Sequence, residues 1–148
     1  RLGGSYYNHE RICLGCDTIE MIVRYALSGK MIENINILPY NAAHYSKYAL
    51  DINYLLKGEE GIVAEIKGVD ILHKIPSFIN EIYYHNVGYQ YQKDRTTDRA
   101  IYTAEILAES PQQVIEDINM MNSVFDVIDN EGCSILMKKL DPVELFKQ

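Results

Sequence analysis

The amino-acid sequence predicts an α+β fold built around an antiparallel sheet. Beyond residue 51 the predicted elements follow in the order strand, strand, helix, strand, strand, helix and short hairpin. The hairpin loops are too short for the crossovers of a parallel sheet, each of which takes about a dozen residues or more. Helices segregated beside hairpins are typical of the α+β class.

The strand pattern is clearest where apolar and polar residues alternate. Ala100–Glu109 alternates throughout and predicts the longest strand. The segment Lys57–Gly61 carries two glycines between two strand-like runs, and this spacing predicts a five-residue hairpin loop. The predicted strands are Asp51–Leu56, Ile62–Lys67, Phe78–Tyr84 and Ala100–Glu109, followed by the hairpin strands Phe125–Ile128 and Ser134–Met137.

A helix is predicted over Asp17–Ser28. Asp17 can cap its first turn, Glu20 completes a capping box, and Gly29 suits the left-handed residue that ends a helix. Four apolar residues recur at helical spacing and form one stripe: Ile19, Ile22, Val23 and Ala26.

Three further helices are predicted after residue 68. Ser110-Pro111-Gln112-Gln113 combines an N-cap serine with proline in the first turn, so a helix begins here. A short helix over Val69–Lys74 must end before Pro76, and Asp141-Pro142 starts another near the C-terminus. The apolar face of the long helix is Val114, Ile118, Met121 and Phe125.

Composition and charge exclude several classes of protein. With 47% hydrophobic and 24% charged residues the chain can form a folded core. A formal charge of −7 disfavours nucleic-acid binding, which needs clustered Lys and Arg. No apolar run approaches the ~18–20 residues of a membrane span. Three cysteines are too few for a disulfide scaffold, so we expect a cytoplasmic location.

The first five residues carry the chemistry of an anion-binding loop. Gly3-Gly4-Ser5 permits close approach of the backbone to a ligand, and successive N–H groups can surround an anion. Arg1 can add a bidentate contact to a phosphate or a carboxylate. Because the chain begins with Arg rather than Met, we expect it to be part of a longer protein.

These residues, followed by His9-Glu10 and by Gly15-Cys16-Asp17 at a helix start, resemble the end of an ATP-grasp catalytic domain. In that superfamily a strand carries Glu-x-Asn-x-Arg, then come a glycine-rich turn and a helix that closes on glycine, as at Gly29-Lys30. The similarity is closest to carboxylate–amine ligases, which include L-amino-acid ligases and relatives of carbamoyl-phosphate synthetase and biotin carboxylase. Residues 51–137 resemble the small α+β C-terminal subdomain of these ligases in element order.

The resemblance implies two domains and a reaction. Residues 1–45 would end the catalytic domain, and residues 46–148 would form an antiparallel-sheet subdomain with two helices. Such ligases phosphorylate a carboxylate with ATP and let an amine attack the acyl phosphate. Arg1 would then be a catalytic residue that contacts phosphate or substrate. The substrate pocket would be lined by Gly3, Gly4, Ser5 and His9.

The resemblance also implies that the active site is incomplete in this chain. The Glu and Asn of the motif, which hold Mg²⁺ in the family, would precede Arg1, and the ATP-binding loop and lysine would lie further upstream. We therefore expect ATP and Mg²⁺ in the intact protein and neither in this chain alone. The expected partners are small carboxylates and amines and the remaining ATP-grasp domains. A homodimer is a further option.

Two alternatives to the ligase hypothesis remain open. In the first, the chain is a stand-alone, non-catalytic binding or interaction module whose hairpins form a partner-binding sheet. In the second, Cys13-Leu14-Gly15-Cys16 acts as a redox pair at a helix N-terminus. A metal site would need two further ligands, such as His9 and Cys133, and a structural role for the cysteines is favoured.

Overall fold

The computed structural model describes residues 6–30, 47–58, 60–92 and 99–147 of the chain. Within them the fold is α+β, as the sequence predicts, and every pairing of strands is antiparallel. The helices are α1 (Tyr6–His9), continued by a π-helical turn (Glu10–Leu14), α2 (Thr18–Ser28), α3 (Val69–Leu72), α4 (Pro111–Val124) and a 3-10 helix (Pro142–Phe146). The strands are β1 (Tyr48–Leu55), β2 (Gly61–Lys67), β3 (Phe78–Tyr83), β4 (Gln90–Tyr91), β5 (Ala100–Ala108) and β6 (Asp126–Asp129).

The first sheet is centred on β5, which pairs with β1 on one side and β3 on the other. All six side chains from Ile101 to Ile106 are buried, so both faces of β5 are covered. Such double coverage is unusual in an antiparallel sheet, which commonly leaves one face to solvent. The strand therefore holds the apolar core and, on its second face, polar residues without access to water.

Helix α4 covers the apolar face of the first sheet. Its N-terminus forms as predicted, because the Ser110 hydroxyl accepts a hydrogen bond from the Gln113 N–H at 3.1 Å. The predicted stripe Val114, Ile118, Met121 and Phe125 is fully buried. The Phe125 ring lies 4.1 Å from that of Tyr54 and 4.9 Å from that of Tyr102, measured between centroids. Burial raises the pKa of both tyrosines.

The second sheet has the strand order β4-β2-β6 and is joined to the first by the segment after β6. The N–H of Lys57 donates to the carbonyl of Ile135, and the N–H of Met137 donates to that of Leu55, at the end of β1. The N–H of Ile135 also donates to Val127 in β6. One stretch of backbone therefore bonds to both sheets.

The predicted hairpin between Asp51–Leu56 and Ile62–Lys67 is wrong, although both strands exist. β1 pairs with β5, and β2 pairs with β4 and β6, so the two strands lie in different sheets. The backbone next to the connecting loop bonds elsewhere, since the Leu56 N–H donates to the Arg99 carbonyl. Long-range pairing with the buried strand β5 therefore overrides the short loop.

Helix α2 forms between its predicted caps, but its apolar stripe is not covered. The Asp17 carboxylate accepts a hydrogen bond from the Glu20 N–H at 2.8 Å, which lowers the pKa of Asp17. The exposed fractions of Ile19, Ile22 and Val23 are 49%, 51% and 50%, and no residue of α2 is buried.

Some of the remaining predictions fall within the described residues and some fall outside them. The short helix before Pro76, the strand from Phe78 and the helix at Asp141 are confirmed. The predicted domain boundary between residues 45 and 46 lies outside the described residues. No helix in the described ranges is long and apolar enough to cross a membrane.

The backbone approach at Gly68 gives a stability prediction. Gly68 has φ +84°, and a Cβ there would lie 2.3 Å from the Val124 carbonyl oxygen at the end of α4. Gly132 has φ +81° with nothing within 4 Å, so Gly132→Ala is a matched control. We expect Gly132→Ala to lower the free energy of unfolding by about 1–2 kcal/mol through its left-handed backbone alone. Gly68→Ala should lose a further ~1–3 kcal/mol from overpacking.

The measurement is urea unfolding of both variants, followed by far-ultraviolet circular dichroism. Equal losses in the two variants would contradict the close packing of the turn after β2 against α4.

Candidate functional site

A group of polar residues lies on the face of the first sheet opposite α4. Asp51 in β1 is the direct cross-strand partner of Glu105 in β5, and Asn53 is the partner of Thr103. Because side chains alternate along a strand, these four residues share the face that Tyr54 and Tyr102 do not. The Thr103 hydroxyl donates to the Asn53 Oδ1 at 2.5 Å, so this second pair satisfies itself.

The N-terminal helical segment reaches this face with two consecutive residues. Asn8 Nδ2 donates to Glu105 Oε2 at 2.9 Å. His9 Nε2 lies 3.2 Å from Asp51 Oδ1, an ion pair when the imidazole is protonated. We call Asn8, His9, Asp51 and Glu105 the polar cluster. It joins residues almost a hundred positions apart in the chain.

Glu105 is the most unusual member of the polar cluster. Its side chain is 0% exposed, and its Oε1 atom is buried with no hydrogen-bond partner in the structure. Cross-strand partners have Cβ atoms about 4.5–5.5 Å apart, and like charges at that separation destabilise a sheet. Asp51 and Glu105 are therefore two carboxylates held close together, one of them fully buried, and the imidazole of His9 lies beside the other.

The polar cluster meets solvent at one end. The side chains of His9 and Asp51 are 17% and 24% exposed, whereas Glu105 is fully covered. Glu105 itself therefore has no contact with solvent, while two of its neighbours in the cluster do.

The local sequence explains how His9 and Asn8 are held in place. After α1 the chain widens into the π-helical turn, which ends where Gly15 adopts φ 66° and donates its N–H to the Glu10 carbonyl. π-helical turns are rare and occur frequently at functional sites. The Tyr7 hydroxyl donates to Asp17 Oδ2 at 3.0 Å, which ties α1 to the cap of α2.

The structure places one of the five predicted site residues. His9 lies in the polar cluster, beside Asp51. Arg1, Gly3, Gly4 and Ser5 lie outside the described residues. Sequence reasoning missed Asn8, Asp51 and Glu105. The available signal was Glu105 itself, a charged residue with Ala104, Ile106 and other apolar residues on both sides in the longest strand.

The cysteines lack the features of a redox pair. All three cysteines are free, and burial raises the pKa of the Cys13 thiol, which disfavours the reactive thiolate. Cys16 is buried, with its Sγ 3.3 Å from the Met21 Sδ. Among the described residues, no group of three His, Cys, Asp or Glu side chains is arranged to hold a metal ion.

The other singled-out residues have packing partners or lie outside the described ranges. His73 Nε2 lies 2.9 Å from Glu81 Oε2, which also accepts a hydrogen bond from the Tyr102 hydroxyl at 2.6 Å. His85 stacks on Tyr89 with ring centroids 3.5 Å apart. Outside the described ranges are His44, Tyr40, Tyr45 and most of the charged loop 93–99.

Comparison with known proteins gives no relative: no family model matches the chain, and neither a curated protein nor a solved structure matches it significantly. The functional assignment therefore depends on the residues and their geometry.

The bond between Asn8 and Glu105 gives a testable coupling. Asn8→Ala removes the donor of a fully buried carboxylate and should lower the free energy of unfolding by about 1–3 kcal/mol. In a Glu105→Leu background the same change should have little effect, because the acceptor is gone. The control is Asn80→Ala, an exposed position on β3 across from Glu105, which should change stability by less than about 0.5 kcal/mol.

The four proteins of this double-mutant cycle are compared by urea unfolding. A coupling energy near zero would show that the Asn8 side chain does not hold the N-terminal segment on the sheet.

Proposed function

We propose that this chain forms the C-terminal part of a cytoplasmic ATP-grasp ligase that joins a small carboxylate to a small amine through an acyl phosphate. The proposal starts from the resemblance of residues 1–30 to the end of an ATP-grasp catalytic domain. The single structural observation that carries it furthest is the uncovered apolar face of α2.

Helix α2 has the ends that the resemblance requires. It begins at the Asp17 cap, directly after Gly15-Cys16, and it closes on Gly29 with φ 69°. The Gly29 N–H donates to the Tyr25 carbonyl at 2.8 Å, a bond that satisfies the last turn. These features support the match of the helix that follows the glycine-rich turn in the superfamily.

The uncovered stripe of α2 supports a missing neighbouring layer. An isolated helix of eleven residues is marginal in water, and helices in proteins gain most of their stability by burying an apolar face. Ile19, Ile22 and Val23 are about half exposed, so the described residues do not provide that burial. In the proposed ligase, the rest of the catalytic domain covers this face.

The proposal assigns roles to the five predicted site residues. Arg1 contacts phosphate or substrate carboxylate, and Gly3, Gly4 and Ser5 line the substrate pocket. His9 is the fifth, and its place beside Asp51 and near Glu105 supports a role in binding a polar substrate.

ATP and Mg²⁺ are assigned to the preceding part of the intact protein. In the superfamily the Glu and Asn that hold Mg²⁺ precede the arginine, and the proposal places these groups ahead of Arg1. Phosphoryl transfer depends on cations positioned around the phosphates, which one arginine does not supply. This chain alone is therefore expected to be inactive.

The second candidate function is a stand-alone, non-catalytic interaction module. The same uncovered face of α2 favours it, because exposed apolar patches mark sites of protein association. The two candidates differ in what covers α2: another domain of the same protein in the ligase, and a separate protein in the module.

The ligase proposal is tested on the full-length protein. We expect ADP release that requires both a carboxylate and an amine substrate, measured over a panel of amino acids. Arg1→Ala should lower kcat/KM about 100-fold or more, the usual effect of removing a group that stabilises developing charge. The matched control is Arg24→Ala. Arg24 lies on α2 outside the apolar stripe and pairs with Glu20, so this change should leave turnover unchanged.

Two results would decide against this proposal. Full-length protein that releases no ADP with any pair of substrates would favour the interaction module. A clear rise in the Tm of the isolated chain with MgATP would show that this chain binds the nucleotide. The proposal assigns that site to the preceding part of the protein.

A further inference from the structure

We propose that the polar cluster is a binding site for a primary ammonium group, received by the carboxylates of Glu105 and Asp51. That the ligand is the amine substrate of the ligase rests on the proposed function. The binding of an ammonium group to the cluster rests on the geometry alone.

The first step is the buried negative charge of Glu105. Asp51 and Glu105 face each other across neighbouring strands, and His9 contacts only Asp51. Glu105 receives a single neutral donor, the Asn8 amide. Burying a carboxylate is unfavourable unless a cation or a full set of hydrogen bonds compensates it. The buried Glu105 carboxylate, with one neutral donor, therefore favours a positively charged donor.

The second step is the unpartnered oxygen. Glu105 Oε1 is buried in a side chain that is wholly covered, and it accepts no hydrogen bond. Buried polar atoms are almost always hydrogen-bonded, so such an atom calls for a donor. The donor must carry N–H or O–H, which excludes a quaternary ammonium ion.

The third step is the choice among cations. A primary ammonium group is compact and offers three N–H donors, enough to reach two carboxylates at once. A guanidinium is a planar fork that pairs best with both oxygens of one carboxylate, whereas Glu105 has only Oε1 open because Oε2 accepts from Asn8. A divalent metal ion would need further ligands, and the described residues provide no suitable group of three.

The position of the site agrees with a substrate role. His9 and Asn8 follow Ser5 by only a few residues, so the cluster is close in sequence to the glycine-rich segment. The proposed function assigns that segment to substrate, so both features belong to one short stretch of the chain.

The test titrates the chain with methylammonium chloride and follows the backbone amide signals of Asn8, Asp51 and Glu105 by NMR. We expect saturable shifts at these three residues. Tetramethylammonium chloride at equal ionic strength is the matched probe, since it has the charge without the N–H donors, and it should give no saturable shift. MgCl₂ is titrated in parallel.

Glu105→Gln keeps the shape and removes the charge, and it should weaken methylammonium binding about tenfold or more. The matched control is Glu109→Gln, just beyond the same strand, where the carboxylate is exposed and pairs with Lys47. The Glu109→Gln variant should bind methylammonium with the same affinity as the unchanged chain. If Glu105→Gln fails to fold by circular dichroism, the partly exposed Asp51→Asn takes its place, with the same expected loss.

The inference is overturned if methylammonium gives no saturable shift, if tetramethylammonium or Mg²⁺ shifts the same three signals equally, or if the Glu105→Gln or Asp51→Asn variant binds unchanged. Methylammonium binding without ADP release by the full-length protein would support the site and refute the ligase. ADP release by the full-length protein without methylammonium binding would support the ligase and refute the site.

Discussion

The burial of β5 on both faces is the constraint on which the rest of the structure depends. One face presents Tyr102, Ala104 and Ile106 to α4, and the other presents Thr103 and Glu105. A strand in this position must find two neighbours along its whole length, because unpaired backbone groups cannot be left in a dry core. It takes β1 and β3, and the remaining strands form a second sheet joined through residues 134–137.

The same constraint creates the chemistry of the candidate site. A carboxylate on a solvated sheet face would be unremarkable, but on β5 it is cut off from water. A second carboxylate, Asp51, lies opposite it on β1. The N-terminal segment places the Asn8 amide on Glu105 and the His9 imidazole beside Asp51. The site is therefore a product of two distant parts of the chain, held together by polar contacts.

The N-terminal segment contains one of the two features that the described residues leave incomplete and contacts the other. About half of the surface of Ile19, Ile22 and Val23 in the α2 stripe is exposed, and Glu105 Oε1 has no donor. The ligase proposal accounts for both by the same assembly: the preceding domain covers the helix, and an amine substrate reaches the carboxylate. The interaction-module alternative accounts for the helix but gives Glu105 no ligand.

The sequence by itself determined the capped starts of α2 and α4 and the apolar stripe of α4. Asp17 and Ser110 cap their helices through contacts with residues only three positions away, and the α4 stripe follows from helical spacing, so these predictions hold. Of the candidate site, the sequence supplied His9 alone. The tertiary structure decided that β1 pairs with β5 rather than with β2, and that Glu105 is buried beside Asp51. Capping and periodicity are local, whereas strand partners and the burial of a charge depend on which distant segments share the core.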